Sequence, residues 1–320
     1  MPLISIIVPT YNSERFIVQT INSALGQTFT DFELIVVDDC SHDNTVSMVQ
    51  HIEDSRIRYF SHDVNVGIAA NRNRGLAKMT GQYVAFLDHD DLWLPDKLMM
   101  QLEALEQHPQ ASVAYSWVHR IDEEGHLIRQ HAHPHYTGNI YKKLLINNFL
   151  VTASNPLIRI SCLENIGGFD NSIYGADDWD LFLRLAEKYE FILLKNCHIQ
   201  YRIVAGSGIS NYRKLEQGTL KVLDKAFSHA DQSLKPLKNH ALGNFYLYLS
   251  FKAVEEFTTR QAGVTSIQYM LRSIHYAPYL WRQGDNLIKV LFKVVLIILL
   301  PSSLARKMID MSIRRYRDNR

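Results

Sequence analysis

Residues 3–8 form a nearly unbroken apolar run that stops at Pro9. That is the pattern of a parallel strand buried on both faces. Residues 15–25 follow with Phe16, Ile17, Ile21, Ala24 and Leu25 at helical spacing. A second buried strand, residues 32–37, runs into Asp38-Asp39, and residues 45–52 read as a short helix with Asp43 as its N-cap. Residues 57–60 are a third strand, 68–79 a helix, and 83–87 a fourth strand that ends at Asp88. Strands alternating with helices predict βαβ units and a parallel sheet. Open sheets of this kind bind ligands at the carboxyl ends of their strands. The acidic residues gather there: Asp38 and Asp39 after one strand, Asp88, Asp90 and Asp91 after another.

Residues 95–107 form a helix with Pro95 at its first position and Asp96 in its first turn, both favourable there. Residues 113–121 and 127–128, separated by Asp122-Glu123-Glu124-Gly125-His126, predict a hairpin, and 155–160 a further strand. In residues 179–188, Leu181, Phe182, Leu185 and Ala186 make one helix face. Beyond about residue 210 strand patterns vanish, and helical ones occupy 215–227, 237–257 and 265–275. Residues 287–300 are apolar except for Lys289 and Lys293. They fall short of the roughly 20 residues that cross a bilayer. The two lysines lie one turn apart on one face, and Arg306, Lys307, Arg314, Arg315, Arg317 and Arg320 follow against Asp310 and Asp318. An apolar stripe beside a basic cluster predicts a helix lying on an anionic membrane surface, not spanning it.

Composition narrows the function classes. With 34 Lys+Arg against 33 Asp+Glu, the chain lacks the basic excess of a nucleic-acid binder. Cys40, Cys162 and Cys197 have no close pairing, which excludes a disulfide framework and a cysteine zinc cluster and suits a reducing compartment. The N-terminus shows no basic segment or cleavage site of a secretory signal.

The carboxylates carry the candidate chemistry. Asp88, Asp90 and Asp91 fall within four residues and repel one another, a cost that a bound Mn²⁺ or Mg²⁺ offsets. His89 alternates away from the flanking carboxylates. A second cluster, Asp177-Asp178-Trp179-Asp180, stands at a helix start, where the macrodipole favours acidic residues whatever their function. Taken together, one set suits a metal and a diphosphate, and the other a general base. Tyr115, Trp117, Tyr136, Tyr141 and Phe149 read as core, whereas Trp179 adjoins the proposed base and is a candidate for stacking on a ligand. His119, His126, His131, His133 and His135 are spaced too irregularly for a metal site. GxGxxG and GxxxxGK[ST] are absent, and no serine elbow or Cys–His signature of a nucleophile is evident.

Ordered motifs then carry a resemblance. Val8-Pro9-Thr10-Tyr11-Asn12, Val37-Asp38-Asp39-Cys40-Ser41, Asn65-Val66-Gly67 with Asn71-Arg72-Asn73-Arg74-Gly75-Leu76, and Gly81-Gln82-Tyr83-Val84-Ala85-Phe86-Leu87-Asp88-His89-Asp90-Asp91 resemble the successive motifs of family 2 glycosyltransferases. Gly167-Gly168-Phe169-Asp170 and Asp177-Asp178-Trp179-Asp180-Leu181-Phe182 are similar to the family's acceptor half. The resemblance covers about residues 3–205. It implies the GT-A fold, a nucleotide-diphosphate sugar donor (a UDP-sugar first among them) and inversion at the anomeric carbon. The acceptor it implies is a glycan or lipid-linked, in cell-surface polysaccharide biosynthesis at the inner face of the plasma membrane. Carried over by motif, Thr10, Tyr11, Asp39 and Arg72 line the nucleotide pocket, Asp39 accepting a base N–H. Asp88 and Asp90 match the DxD motif, with Asp90 as the direct metal ligand, and Asp178 matches the catalytic base. Asp177 replaces the family's Glu beside that base, and Trp179 falls on the acceptor side. Val204 stands where many relatives carry His. The domains implied are residues 1–210 for the glycosyltransferase (1–92 donor half, 93–210 acceptor half), 211–285 for a helical extension and 286–320 for the membrane-associating helix and tail. Two alternatives stand beside this reading. A sugar nucleotidyltransferase would want a Gly-rich basic loop near the N-terminus, which residues 9–13 do not supply. A non-catalytic scaffold would show loss of Asp39, Asp90 or Asp178, and all are present.

Overall fold

The structure, a computed structural model, describes residues 1–130, 134–204, 212–256, 260–282, 285–300 and 304. The chain divides into two compact units. The first comprises Met1–Leu144, Asn148–Ser207 and Lys214–Val222. In chain order it holds β1 (Ile4–Thr10), α1 (Ile17–Leu25), β2 (Phe32–Asp38), α2 (Thr45–Gln50), β3 (Ile57–Ser61), α3 (Ile68–Leu76) and β4 (Tyr83–Phe86). There follow β5 (Leu92–Trp93), α4 (Lys97–Gln107), β6 (Ala111–Ile121), β7 (Leu127–Gln130), α5 (Tyr141–Ile146, its last two residues counted with the second unit), β8 (Leu157–Arg159), α6 (Ile160–Ile166), α7 (Asp177–Lys188) and β9 (Glu190–Arg202).

These strands make one mixed sheet in the order β3-β2-β1-β4-β8-β6-β9-β5, with β7 paired to β6. The first four are parallel, and β1 sits between β2 and β4. The strand order therefore reverses at β1, and the loops after β1 and β4 open on that switch point, where such sheets bind ligands. Every residue of β1 and β2 is buried, which their continuous apolar runs require. Ser5 and Glu33 are tolerated inside because Ser5 Oγ donates to Glu33 Oε1 at 2.6 Å, and Thr80 N–H donates to the same oxygen at 2.6 Å. α3 packs so closely on β1 that a Cβ at Gly75 would overlap Ile7. This contact fixes the helix that carries Arg72.

The pattern of residues 190–202 did not announce a strand, yet β9 is thirteen residues long and parallel to β6. Exposed Lys195 and Asn196 break its apolar run where the pairing register with β6 shifts. α7 starts at Asp177, so Asp177 and Asp178 lie in its first turn and not ahead of it. The N-cap of α2 is Asn44, while Asp43 Oδ1 accepts the Thr45 N–H at 3.0 Å.

Lys97, at the start of α4, is fully buried. Its Nζ donates to Gln101 Oε1 at 2.8 Å and lies 4.0 Å from the centroid of the Trp93 ring. Burial holds its pKa well below the usual lysine value. The unfolded chain then binds more protons than the folded one, so stability is lost as pH falls below about 10.4 toward the folded value. Lys97→Met is expected to raise the melting temperature at neutral pH by at least about 2 °C. It should also flatten the alkaline rise of stability in thermal melts across pH. A lower melting temperature would assign Lys97 a packing role that Met cannot fill.

The second unit comprises Leu145–Asn147, Gly208–Arg213 and Leu223–Arg320. α8 (Tyr212–His229) leads into it from the first unit, and α9 (Leu237–Glu256) and α10 (Arg260–Tyr276) form an antiparallel pair. Ser266 Oγ donates to the Ser250 carbonyl and Ser273 Oγ to the Gly243 carbonyl, each at 2.7 Å, which satisfies the buried hydroxyls between them. A short 3₁₀ turn (Pro278–Arg282) leads to α11 (Asp285–Leu299). One side of α11 is internal: Val294, Leu296 and Ile297 are buried in a cluster with Val254, against which Phe251 and Ile267 also pack. The other side is open, with Phe292 at 51%, Val295 at 48% and Leu299 at 71% exposure. Among the described residues no helix is long and apolar enough to cross a membrane. The basic tail expected to accompany this helix lies outside the described residues.

Candidate active site

The turns after β1 and β2 lock together. Thr10 Oγ1 donates to Asp38 Oδ1 at 3.1 Å, and Ser41 donates to the same carboxylate from N–H (2.9 Å) and Oγ (2.5 Å). Asn12 and Cys40 adopt φ of 47° and 65°, left-handed conformations held by the Asn12 N–H to Ser41 Oγ and the His42 N–H to Asn12 Oδ1, both 2.9 Å. Thr10, expected to line the nucleotide pocket, is 1% exposed with its hydroxyl on Asp38. Tyr11 projects outward and is 41% exposed. Asp39 Oδ1 and Oδ2 accept the N–H groups of Val66 (2.8 Å) and Gly67 (2.9 Å), just before α3. Each oxygen keeps a second lone pair, so a further N–H can be accepted there.

Beyond β4 the three carboxylates of Asp88-His89-Asp90-Asp91 do different jobs. Asp91 is fully buried and holds the loop down. Its Oδ2 accepts Ser154 Oγ–H at 2.6 Å and lies 3.0 Å from Thr152 Oγ1, and its Oδ1 accepts the Arg202 N–H at 3.1 Å. Burial, and then the charges of Asp90 and Asp88, push its carboxyl well above the usual range. Ser154 Oγ also accepts the Asp88 N–H at 3.0 Å. Arg202 reaches back from β9, giving Nε to the Asp90 carbonyl (2.8 Å) and a terminal nitrogen to the Glu123 carbonyl (2.7 Å). Neither Asp91 nor Arg202 is distinguished by the sequence pattern, because their tasks rest on contacts made far along the chain. Val151, a β-branched residue at φ 76°, sits next to Thr152; backbone strain of this kind gathers at functional sites.

Asp90 is left over from this network. Among the described residues no side chain donates to its carboxylate, and burial first, then Asp88, raises its pKa. A half-buried anion met by its own backbone N–H but by no side-chain donor, beside two other carboxylates, fits a hard divalent cation that keeps waters and shares a substrate diphosphate. His89 Nδ1 is buried without a hydrogen-bond partner.

Arg72 joins this loop to α7. It is 3% exposed, donates through one terminal nitrogen to Asp177 Oδ2 at 2.5 Å and through the other to Asp88 Oδ1, and lies 5.2 Å over the Phe169 ring. The two carboxylates outweigh burial and keep the guanidinium charged. Arg72 was expected beside the nucleotide, and both terminal nitrogens are on these carboxylates instead.

Asp178 lies next to Asp177 in the first turn of α7, and its Oδ1 accepts the Trp179 N–H at 2.6 Å. Burial, then the charge of Asp177, push its carboxyl up to about 7, while Arg72 pulls the other way. A carboxylate that titrates near neutrality is poised to take and release a proton. The acceptor-side reading of Trp179 does not survive: the ring is 6% exposed and Nε1 donates to the Leu144 carbonyl at 3.0 Å. One residue further along a helix turns a side chain by about 100°, and here that turn leads into the core.

The chain is similar to known proteins in both sequence and fold. The model of the family described as Glycosyl transferase family 2 matches residues 5–167, just over half of the chain. A glycosyl transferase of Escherichia coli (strain K12) named for colanic acid biosynthesis is 32% identical over 199 residues, 59% of this chain and 67% of its own. S. aureus TarS 1-349, solved in complex with UDP-GlcNAc, has a TM-score of 0.58 at 18% identity, covering 88% of this chain and 92% of that one. The mannosyltransferase PcManGT of Pyrobaculum calidifontis, solved with GDP-Man and Mn²⁺, has a TM-score of 0.59 at 17% identity over 97% of this chain and 84% of its own. The curated relatives differ in length, and this chain spans from 20% to 73% of them. The switch-point carboxylates thus stand on a GT-A fold, and the chain belongs to glycosyl transferase family 2.

Proposed function

We propose that this glycosyltransferase moves a sugar from a nucleotide-diphosphate donor, a UDP-sugar first among them, to a glycan or lipid-linked acceptor with inversion. One observation carries the reading: Asp178, raised toward neutrality, adjoins Asp177, which Arg72 ties to Asp88 two residues before Asp90. A base and a donor-binding carboxylate set therefore share one hydrogen-bonded group. Asp39 and Tyr11 hold the nucleotide at the ends of β2 and β1. Asp90, with Asp88 beside it, would hold Mn²⁺ or Mg²⁺, which when bound would supply positive charge to a departing diphosphate. Asp178 takes the proton of the attacking acceptor hydroxyl, and attack from the side opposite the diphosphate inverts the anomeric carbon.

Asp90→Asn is expected to lower turnover at least about 100-fold, the scale of losing one electrostatic stabiliser of a leaving group. Nucleotide-sugar turnover measured with Mn²⁺ and with chelator checks this, and proton NMR of the product gives the anomer. Full activity in chelator, or a retained configuration, would overturn the corresponding part of the proposal.

The biosynthesis of a cell-surface polysaccharide on a lipid carrier fits the relative named for colanic acid and the open side of α11. Phe292, Val295 and Leu299 follow one another at helical spacing, and six basic residues against two acidic lie in residues 305–320. Each Lys or Arg near an anionic surface contributes about 1 kcal/mol, so the enzyme sits peripherally on the cytoplasmic leaflet. Because Val294 and Ile297 are internal, removal of the helix would damage the unit, and substitution on its open side is the cleaner test. The combined Phe292→Ser, Val295→Ser and Leu299→Ser variant should keep its melting temperature and lose sedimentation with phosphatidylglycerol vesicles at low salt. Unchanged sedimentation would rule this surface out.

A further inference from the structure

The segment that delivers the base also carries an aromatic ring with no task so far. Residues 169–177 form a strap tied at both ends by neighbouring residues of α3. At one end Asn73 Oδ1 accepts the Phe169 N–H at 2.8 Å, and Asn73 Nδ2 donates to the Phe169 carbonyl and to Asn171 Oδ1, each at 2.9 Å. At the other end Arg72 holds Asp177. In between, Asp170 Oδ1 accepts the Ser172 N–H at 3.0 Å, the Ile173 N–H donates to the Asp170 carbonyl at 3.0 Å, and Lys221 Nζ of α8 donates to the Ser172 carbonyl at 3.0 Å. α8 comes so close that a Cβ at Gly218 would overlap the Tyr174 carbonyl oxygen, and the backbone of Gly175 faces Leu215.

The strap is therefore tied at Phe169, Asp170, Ser172, Ile173 and Asp177 and closely packed by α8 at Tyr174 and Gly175, with Ile173 at 2% and Ala176 at 3% exposure turned inward. Tyr174 is turned outward at 45% exposure, with Lys214 Nζ 5.0 Å from its ring centroid. A lone exposed tyrosine is ordinary. This one stands on a rigid strap, and four steps of chain, at most about 3.6 Å each, keep its Cα within about 14 Å of that of Asp178. Trp179, the aromatic nearest the base in sequence, is internal and cannot serve.

We propose that Tyr174 is an acceptor platform: the open part of its ring stacks on the apolar C–H face of a pyranose in the acceptor glycan. That pyranose lies one or two sugars from the hydroxyl that Asp178 deprotonates. The proposal rests on the glycosyltransferase reading given above. In-line attack places the acceptor on the Asp178 side, away from the nucleotide at Asp39 and the cation at Asp90, and Tyr174 is an exposed aromatic four residues before that base. A tyrosine on a tied backbone has only two χ angles to lose on binding, so its contact area converts efficiently into affinity.

The test compares full-length wild type, Tyr174→Ala and Tyr174→Phe, each with UDP and Mn²⁺, by saturation-transfer NMR on a panel of methyl pyranosides. Tyr136→Ala, at another exposed aromatic, is the control. Wild type, Tyr174→Phe and the control should transfer saturation to the ring protons of at least one pyranoside, and Tyr174→Ala should lose that transfer about tenfold. Calorimetric affinity for UDP should agree within about twofold across the set, since stacking on the acceptor side leaves donor contacts in place. A wild type that binds no pyranoside, or a Tyr174→Ala variant that binds as wild type does, overturns the platform. Equal loss in Phe and Ala overturns it as well, because the hydroxyl and not the ring would then be responsible. A wild type that binds neither UDP nor GDP sinks the glycosyltransferase reading itself, an outcome distinct from the others.

Discussion

Asp178→Asn is expected to abolish transfer to the acceptor while leaving the nucleotide bound. General-base catalysis contributes about 10²–10⁴ in rate, and an amide cannot accept the proton. In the proposed function the nucleotide meets Asp39 and Tyr11 at the ends of β2 and β1, which this substitution does not touch. Calorimetry of UDP binding beside a transfer assay therefore separates chemistry from structure. The pH dependence gives an independent check. With Asp178 raised to about 7, wild-type transfer should fall as pH drops through that value, because the protonated carboxyl is no base. The same shift fixes the sign of a stability effect. A carboxyl raised in the folded state stabilises only while protonated, so its cost to folding builds from about pH 4, where the unfolded chain ionises, up to the folded value. Asn carries no such cost, and at about pH 8 the variant should melt no lower than wild type. If UDP affinity and transfer fall together, or the variant melts far lower, Asp178 is a helix N-terminal residue holding α7 and the base lies elsewhere.

The parallel half of the sheet was legible because its strands are apolar on both faces. β1, β2 and β4 read directly from their apolar runs, and the acidic residues at the strand ends mark the switch point. Motif order was specific enough to indicate the family and the GT-A fold that the comparisons establish. What stayed hidden depended on contacts between distant residues. β9 lost its periodicity at Lys195 and Asn196, where the register with β6 slips. Asp91 looked like one more candidate ligand, yet it accepts hydrogen bonds from Ser154 and from the backbone of Arg202, far along the chain. Trp179 was drawn to the site by adjacency to Asp178, but neighbours on a helix point in different directions. Tyr174 lacked any motif at all, and its exposure and fixed backbone are apparent only once the strap is seen against α8. The Arg72–Asp177 pair was equally invisible, since no local pattern connects positions on two separate helices.

That pair makes Arg72→Met the most damaging single substitution expected in this chain. Arg72 and Asp177 have side-chain exposures of 4% and 5%, and Asp88, on the other terminal nitrogen, 19%. Removing the guanidinium leaves two carboxylates close together with no cation, beside a third at Asp178. Breaking a buried ion pair from one side costs about 3–5 kcal/mol, because an uncompensated charge stays inside. Urea unfolding at about pH 8 should show a loss of that size, and the gap from wild type should narrow as pH falls, because Asp177, already raised by burial, protonates more readily once the guanidinium is gone. Asp177→Asn added to Arg72→Met should cost less than Asp177→Asn alone, since the partner it strands is already gone. Arg72→Lys distinguishes the two tasks considered for this residue. A lysine is a point charge and cannot fork to Asp88 and Asp177 at once, so transfer should drop even if the fold holds. If Arg72 acts by setting these carboxylates, UDP affinity in the lysine variant stays near wild type while turnover falls. If UDP affinity falls as far as turnover does, Arg72 touches the nucleotide, and the bond to Asp177 is a resting contact that the donor displaces.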